Sequence, residues 1–135
     1  MGTTSPKKPT NAELLILRVL WENGPSTVRQ VLEKLSVQRS IRYTSVLKLL
    51  QIMTAKRLVL RDESERTHRY RAASNEHQTQ RRLVSDLIAR VFGGSAQRLI
   101  VHALDVAKAS PEEMAEVRKL LRQANQSKRT REDRP

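Results

Sequence analysis

Residues 43–71 join an amphipathic helix directly to a basic β-hairpin, and this order of elements limits the folds that the chain can adopt. The apolar positions on one side of the helix are Val46, Leu49, Leu50 and Met53. Two short runs at 58–61 and 68–71 have the composition of strands, and the loop between them is entirely polar. A helix with one buried face, followed at once by such a hairpin, predicts a winged helix-turn-helix.

Two further helices are predicted before residue 43. Thr10 and Glu13 have the spacing of a capping box that begins the first helix, and Gly24 and Pro25 end it. Ser26 is the expected N-cap of a short second helix over 27–35. The winged-helix domain is therefore predicted over residues 10–74, after a flexible arm over residues 1–9.

The remainder of the chain is predicted to be helical, which makes the fold class mainly α with a small β-hairpin wing. Three helices are expected over 76–92, 95–108 and 111–123, and a frayed, charged tail over 124–135. A helical segment of about 50 residues with few bulky side chains is marginal as an independent monomer. We therefore predict a helical dimerisation domain over residues 75–123, in which pairing of two copies buries the exposed apolar stripes. The alternative is that these helices fold back on the first domain.

The apolar stripes of these three helices supply the residues expected at the dimer contact. They are Leu83, Leu87, Val91, Leu99, Ile100, Leu104, Val117, Leu120 and Leu121.

The charge of the chain favours a polyanionic partner. There are 26 Lys and Arg residues against 14 acids, a net charge of +12. Residues 1–74 hold 14 of the bases and only 6 of the acids, so the excess lies in the predicted winged helix. Nucleic acid and anionic membrane surfaces attract such proteins. Only four aromatic residues are present, which disfavours base stacking on single strands or RNA.

Several classes of site are disfavoured by what the sequence lacks. Without cysteine there is no disulfide, thiolate metal site or cysteine nucleophile. The histidines at 68, 77 and 102 have no metal-ligand spacing, and no nucleophile elbow, phosphate loop or dinucleotide fingerprint occurs. We therefore expect no metal, no cofactor and no enzymatic activity. The absence of a signal-peptide core or a long apolar run predicts a cytoplasmic protein that does not itself bind membranes.

The candidate DNA-binding residues fall into two groups. On the third helix, hydroxyl, amide and amine groups suit base edges, while the residues at its start suit a phosphate. In the hairpin, the residues at and after the tip suit phosphate contacts, which need charge and reach. The helix group is Arg42, Tyr43, Thr44, Ser45, Lys48 and Gln51, and the hairpin group is Arg66, Thr67, His68 and Arg69. Leu47 lies on the same outer face, where contact with a thymine methyl and packing against the hairpin are both open.

The sequence resembles the BlaI/MecI family of penicillinase repressors over residues 10 to about 123. The resemblance rests on residues 10–31 (TNAELLILRVLWENGPSTVRQV), residues 43–47, residues 56–59, Tyr70 and residues 92–95. It implies a homodimeric winged-helix transcriptional repressor that binds palindromic operator DNA and is inactivated by proteolysis in the dimerisation region. In the antibiotic-resistance members, a membrane-bound sensor metallopeptidase starts that cleavage between Asn and Phe. The aligned pair in this chain is His102–Ala103, which departs from that pattern.

Two other functions fit the same composition. A non-specific nucleoid or architectural protein would bind any duplex equally well. A winged-helix protein-interaction module would bind an acidic protein and would give no gel shift at about 100 mM salt, where a DNA reader still binds.

Overall fold

The computed structural model describes residues 8–37 and 39–132, with side chains as far as residue 130. Its elements in chain order are α1 (Asn11–Asn23), α2 (Val28–Ser36), α3 (Tyr43–Ala55), β1 (Val59–Asp62), β2 (Arg69–Ala72), α4 (Glu76–Val91), α5 (Ala96–Val106) and α6 (Pro111–Glu132). They form two compact units, one ending at Val84 and one beginning at Ser85. The mainly helical fold with a small antiparallel hairpin is confirmed. Most of the predicted arm, residues 1–7, lies outside the described residues.

The core of the first unit is built by α1, α2, α3 and the hairpin. Helix α3 contributes Val46, Leu50 and Met53, each with no exposed surface. The other buried apolar residues of the core are Ile16, Leu17, Val19, Leu20, Val28, Val31, Leu35, Leu58, Val59 and Tyr70. Burying one such large side chain contributes about 1.5–3 kcal/mol, so this cluster holds the first unit together.

Capping residues set where the first two helices begin. The predicted capping box of α1 is confirmed: the Thr10 hydroxyl accepts from the Glu13 backbone N–H and the Glu13 carboxylate accepts from the Thr10 N–H. Helix α1 ends at Gly24, whose φ of 77° favours glycine. The N-cap predicted for α2 is wrong. Thr27, rather than Ser26, caps α2 through a second capping box with Gln30.

Ser26 has a different role, as part of the sheet. Its backbone N–H donates to the Tyr70 carbonyl at 2.9 Å and its carbonyl accepts from the Tyr70 N–H at 2.8 Å. This bridge lies beside the antiparallel pair β1–β2, whose register places Arg61 opposite Tyr70 and Asp62 opposite Arg69. The bridge holds Ser26 in an extended conformation, and the helix cap moves one residue along the chain.

The two strands each begin one residue later than predicted. For β1 the cause is Leu58, whose backbone N–H donates to the Met53 carbonyl at 2.9 Å and so completes the end of α3. Its carbonyl accepts from Ala73. Leu58 therefore belongs to the turn between α3 and β1, and strand pairing starts at Val59.

A buried ion pair joins the C-terminal end of α3 to the first turn of α1. The Lys56 Nζ lies 2.5 Å from the Glu13 Oε1, and the Glu13 side chain is only 2% exposed. Burial raises the pKa of Glu13. The hydrogen bonds from Lys56 and Thr10, with the charge of Lys56, outweigh that effect and hold the pKa below its ordinary value of 4.5. Glu13 thus both caps α1 and anchors the C-terminal end of α3.

The second unit contains the end of α4 with α5 and α6. The Ser95 hydroxyl caps α5 and the Ser110 hydroxyl caps α6, each by accepting from the backbone N–H three residues on. Helix α5 has no buried side chain. The end predicted for α6 near Gln123 is wrong, because the helix continues to Glu132. No proline or glycine interrupts this stretch, and cations near a helix C-terminus interact favourably with its dipole.

Replacing Glu13 with Gln should lower the free energy of unfolding by about 1–3 kcal/mol at pH 7, because Lys56 loses a charged partner. The pKa of Glu13 is lowered in the folded state, so the stabilisation is complete above the unfolded-state pKa and is lost as the pH falls through the folded-state value. Urea melts at pH 7 and below pH 4 should therefore show the difference between wild type and E13Q shrinking in acid. Glu63→Gln, which removes the exposed pair with Arg61, should change stability little at either pH. A constant difference for E13Q would contradict this assignment.

Arg57 follows α3 with a φ of 64°, a left-handed conformation that is unfavourable for a residue with a Cβ. Arg57→Gly should therefore raise the free energy of unfolding by about 0.5–1 kcal/mol, measured by thermal melts. Arg57→Ala removes the same charge and keeps the strained backbone, so it should give no such gain. Equal stabilisation by both variants would place the effect in the charge.

Candidate nucleic-acid interface

The exposed face of α3 carries the polar residues that the sequence placed there. Thr44, Ser45, Lys48 and Gln51 are all exposed, and the burial of Val46, Leu50 and Met53 fixes them on the solvent side. Thr44, Lys48 and Gln51 are four and three residues apart, so they form one stripe along the helix. Hydroxyl, amine and amide groups in such a stripe can form hydrogen bonds with base edges in a major groove.

Two apolar residues of α3, Leu47 and Ile52, lie beside these polar side chains. Leu47 is half-buried and packs against the core cluster, while part of its side chain stays accessible on this face. Ile52 is 41% exposed and was missed by the sequence analysis. It lies four residues after Lys48, so helical spacing alone placed it beside the polar stripe. An exposed isoleucine there suits contact with a thymine methyl.

The N-terminal end of α3 is open to an anion. Arg42 is the N-cap, and no side chain accepts a hydrogen bond from the first turn of α3, in contrast with the capping boxes of α1 and α2. Uncapped backbone N–H groups together with the helix dipole form a favourable phosphate site. Arg42 and Tyr43 are both exposed beside it.

Arg29 is a second residue that the sequence analysis missed. Its guanidinium lies 5.9 Å from the centre of the Tyr43 ring, a cation–π contact that brings a charge from α2 to the start of α3. The first helix of a helix-turn-helix commonly crosses the DNA backbone, so Arg29 is placed for a phosphate. No local sequence pattern indicates this pairing, because the two residues are on different helices.

The hairpin carries acids as well as the predicted cations. Arg61 forms an ion pair with Glu63, and the Arg69 Nε lies 3.8 Å from the Glu65 carboxylate. Arg66 takes part in none of the ion pairs found among the described residues, and it is exposed together with Thr67 and His68 at the tip. Of the predicted wing cations, Arg66 is therefore the best placed to meet a phosphate, while Arg69 is half-buried and partly neutralised.

Asp62 adds a further negative charge to the wing. Its carboxylate accepts from the Ser64 backbone N–H at 2.9 Å, and this hydrogen bond lowers the pKa of Asp62. It also faces Arg69 across the two strands, a pair of opposite charges that stabilises the hairpin. The hairpin cations thus divide into those that support the wing and those that are free to bind.

Sequence comparison identifies the class of protein to which this interface belongs. The profile of the penicillinase repressor family matches residues 9–123. The chain belongs to the penicillinase repressor family. The transcriptional regulator BlaI from two strains of Mycobacterium tuberculosis is 36% identical to it over 95 residues, which is 69% of this chain and 69% of each relative. The protein is a transcriptional regulator of this family, and the resemblance noted from its motifs is confirmed.

Among solved structures, a MarR family protein from Bacillus stearothermophilus is similar to this regulator with a TM-score of 0.49 and 22% sequence identity. The match covers 90% of this chain and 76% of that one.

The residues expected at a dimer contact of the regulator lie on α4, α5 and α6. Leu83, Leu99, Leu104 and Val117 are half-buried within the single chain. The others are exposed, and they are Leu87, Val91, Ile100, Leu120 and Leu121. Large apolar residues that the sequence analysis did not select are also exposed, and they are Val84, Val101 and Val106. A single chain of the regulator therefore leaves much apolar surface in water, and the dimer contact itself stays a prediction.

The implied cleavage bond lies in the middle of α5. His102 and Ala103 are both exposed, and the His102 ring lies 5.6 Å from the Phe92 ring. Within residues 8–37 and 39–132, no three acidic or histidine side chains are grouped closely enough to hold a metal ion. No helix in the same ranges combines the length and apolar character of a membrane span.

Separate roles for the two groups of residues lead to a prediction for gel-shift titrations. Lys48→Ala with Gln51→Ala should reduce the preference of the regulator for its operator over random DNA, because base contacts carry sequence information. Arg66→Ala with Arg69→Ala should weaken binding to both DNAs by a similar factor, with most of the loss due to Arg66. Arg18→Ala with Arg81→Ala removes two exposed charges elsewhere in the same unit and should have a smaller effect. Loss of preference in the wing variant and not in the helix variant would contradict these roles.

Proposed function

We propose that this regulator is a cytoplasmic transcriptional repressor that binds palindromic operator DNA as a homodimer and is released by proteolysis in its C-terminal helices. The observation that carries the proposal is the exposed polar stripe of α3, Thr44, Lys48 and Gln51, beside an uncapped helix N-terminus. Side chains cap the first turns of α1 and α2. The first turn of α3 has no side-chain cap, which favours donation from its N-terminal end to an external acceptor.

Base reading and phosphate binding are combined in one unit. Helix α3 packs on β1, so the reading face and the wing are held on the same core. Insertion of α3 into the major groove brings the stripe to the base edges. Arg66 at the hairpin tip, Arg29 and the first turn of α3 bind the backbone phosphates and fix the register of the protein on the duplex.

A second copy of the chain is the proposed cover for the apolar surface of the second unit. Val91 is 65% exposed, and Leu120 and Leu121 are 54% and 52% exposed, although all three are large apolar residues. Extensive exposed apolar surface marks an interaction site in a stable protein. A two-fold dimer is the commonest way to cover it, and two reading helices related by a two-fold axis require a palindromic operator.

Cleavage in α5 provides the proposed route of release. The His102–Ala103 bond lies in α5 between two exposed residues, so local opening of this helix would present it to a protease. Cutting there would detach α6 and weaken the pairing of the two copies. Each winged helix would then bind alone, without the gain in affinity that two linked sites provide. A membrane-bound sensor metallopeptidase is the class of protease that the family resemblance implies.

The direct experiment selects binding sites for the purified full-length protein from a pool of random duplexes, and measures its mass by sedimentation equilibrium. The proposal predicts an enriched palindrome and a dimer at micromolar concentration. An unenriched pool with tight binding would indicate a non-specific nucleoid protein. No binding at about 100 mM salt would indicate a protein-interaction module.

Dimerisation through α6 predicts a specific pair of variants. Leu120→Glu with Leu121→Glu places two charges in the apolar stripe and should shift the protein to a monomer, with operator affinity falling at least tenfold through loss of the second site. Ala115→Glu with Gln123→Glu adds the same charge on the polar side of the helix and should remain a dimer. Sedimentation equilibrium measures the mass of both. A dimeric Leu120/Leu121 variant would remove these residues from the contact.

A further inference from the structure

Helix α6 is divided by charge along its length. Its first two turns contain Glu112, Glu113 and Glu116 and no base. No acidic residue follows until Glu132. The basic residues between them are Arg118, Lys119, Arg122, Lys128, Arg129 and Arg131. This second half of the helix is thus strongly positive over about 20 Å, at 1.5 Å per residue.

Helical geometry places the cations away from the apolar stripe. At about 100° per residue, Arg118, Arg122 and Arg129 lie within about 40° of one another, with Lys119 on the flank of the same face. The apolar stripe of Val117, Leu120 and Leu121 is centred roughly 125° from the centre of this arginine stripe, and Leu121, its nearest member, is about 80° away. A partner that covers the apolar stripe therefore leaves the arginine stripe in solvent.

Among the side chains described, as far as residue 130, no acidic group pairs with the arginine stripe. Arg118, Arg122 and Arg129 are exposed, and none of them takes part in an ion pair found in the described part of the chain. Arg118 and Arg122 are four residues apart, a spacing at which like charges destabilise a helix and an acid would stabilise it. Asn125 and Gln126 occupy the positions between the arginines, so the face is polar and uniformly positive.

We propose that the arginine stripe of α6 is a second phosphate-binding surface, which contacts the backbone of double-stranded DNA independently of its sequence. The proposal rests on the proposed function, because it assigns a further contact to a DNA-binding protein. Phosphate contacts need charge and reach without base recognition, and this face offers only those properties. The wing and α3 select the site, and the arginine stripe adds affinity on any duplex.

The chemistry of the surrounding residues favours DNA over other polyanions. Beyond Leu121 the helix has no large apolar side chain, whereas a helix that lies on a membrane needs an apolar face along its length. Helix α6 has no aromatic residue on which an unpaired base could stack. Duplex DNA remains as the polyanion that a polar, cationic helix face binds.

The test measures binding to the selected operator and to a scrambled duplex by fluorescence anisotropy over 50–300 mM NaCl, for the full-length wild type and R118Q/R122Q/R129Q. Loss of three phosphate contacts should reduce the slope of log K against log salt by about 2.7 per chain on both DNAs. The ratio of the two affinities should stay unchanged. The control R81Q/R98Q/K108Q removes three exposed charges elsewhere and should alter the slope less. Circular dichroism and sedimentation confirm that each variant keeps its helix content and mass.

Three results of these measurements would contradict the assignment of the arginine stripe to DNA. An unchanged slope in R118Q/R122Q/R129Q, or an equal reduction in the control, would overturn the proposal and leave the operator binding of the wild type intact. Binding of the wild type to vesicles with 30% phosphatidylserine that the variant loses, with no change in DNA slope, would assign the arginine stripe to membranes. A wild type that binds neither duplex would refute the proposed function and this contact together.

Discussion

The burial of one side of α3 is the constraint on which the candidate interface depends. Val46, Leu50 and Met53 have no exposed surface, and they hold the helix so that Thr44, Lys48 and Gln51 face solvent. The Lys56–Glu13 ion pair fixes the far end of α3 to the start of α1, and the Leu58 backbone closes its last turn. A rigid support of this kind is what base reading requires, since hydrogen bonds to base edges depend on the position of each donor.

The wing and the second half of α6, the two cationic surfaces proposed to bind DNA, differ in how their charges are paired. On the wing, Glu63 and Glu65 pair with Arg61 and Arg69, and those pairs stabilise the hairpin. Arg66 and Arg71 are exposed and take part in none of the ion pairs found among the described residues. In α6 no acidic residue occurs between Glu116 and Glu132, the stretch that contains the arginines. The net charge of +12 therefore does not show how many cations of the wing and of the C-terminal helix are available to bind a phosphate. Counting charges along a sequence cannot show this difference, because it depends on which side chains meet.

The elements that local patterns control were predictable from the sequence. The α1 capping box, the apolar spacing of α3 and the polar hairpin loop each depend on residues close together in the chain, and each is present in the structure. Several of the features that were missed depend on residues far apart in the sequence. The sequence predicted only the capping role of Glu13. Its ion pair with Lys56 was missed because Lys56 is 43 residues away. The Ser26–Tyr70 bridge and the Arg29–Tyr43 contact likewise join separate elements. The length of α6 was underestimated because its polar composition hid an uninterrupted helix.

Cleavage of DNA by a probe attached to the protein can test directly whether α3 meets the operator. Because the chain has no cysteine, a single introduced thiol can carry a DNA-cutting iron chelate without background labelling. Ser45→Cys places the probe on the exposed face of α3, and Glu22→Cys places it on the exposed surface of α1. With the selected operator, the Ser45 probe should cut at two positions related by the two-fold axis, within the two half-sites, while the Glu22 probe cuts weakly or not at all. Localised cutting from Glu22, with none from Ser45, would show that another face of the protein meets the DNA and would contradict the account.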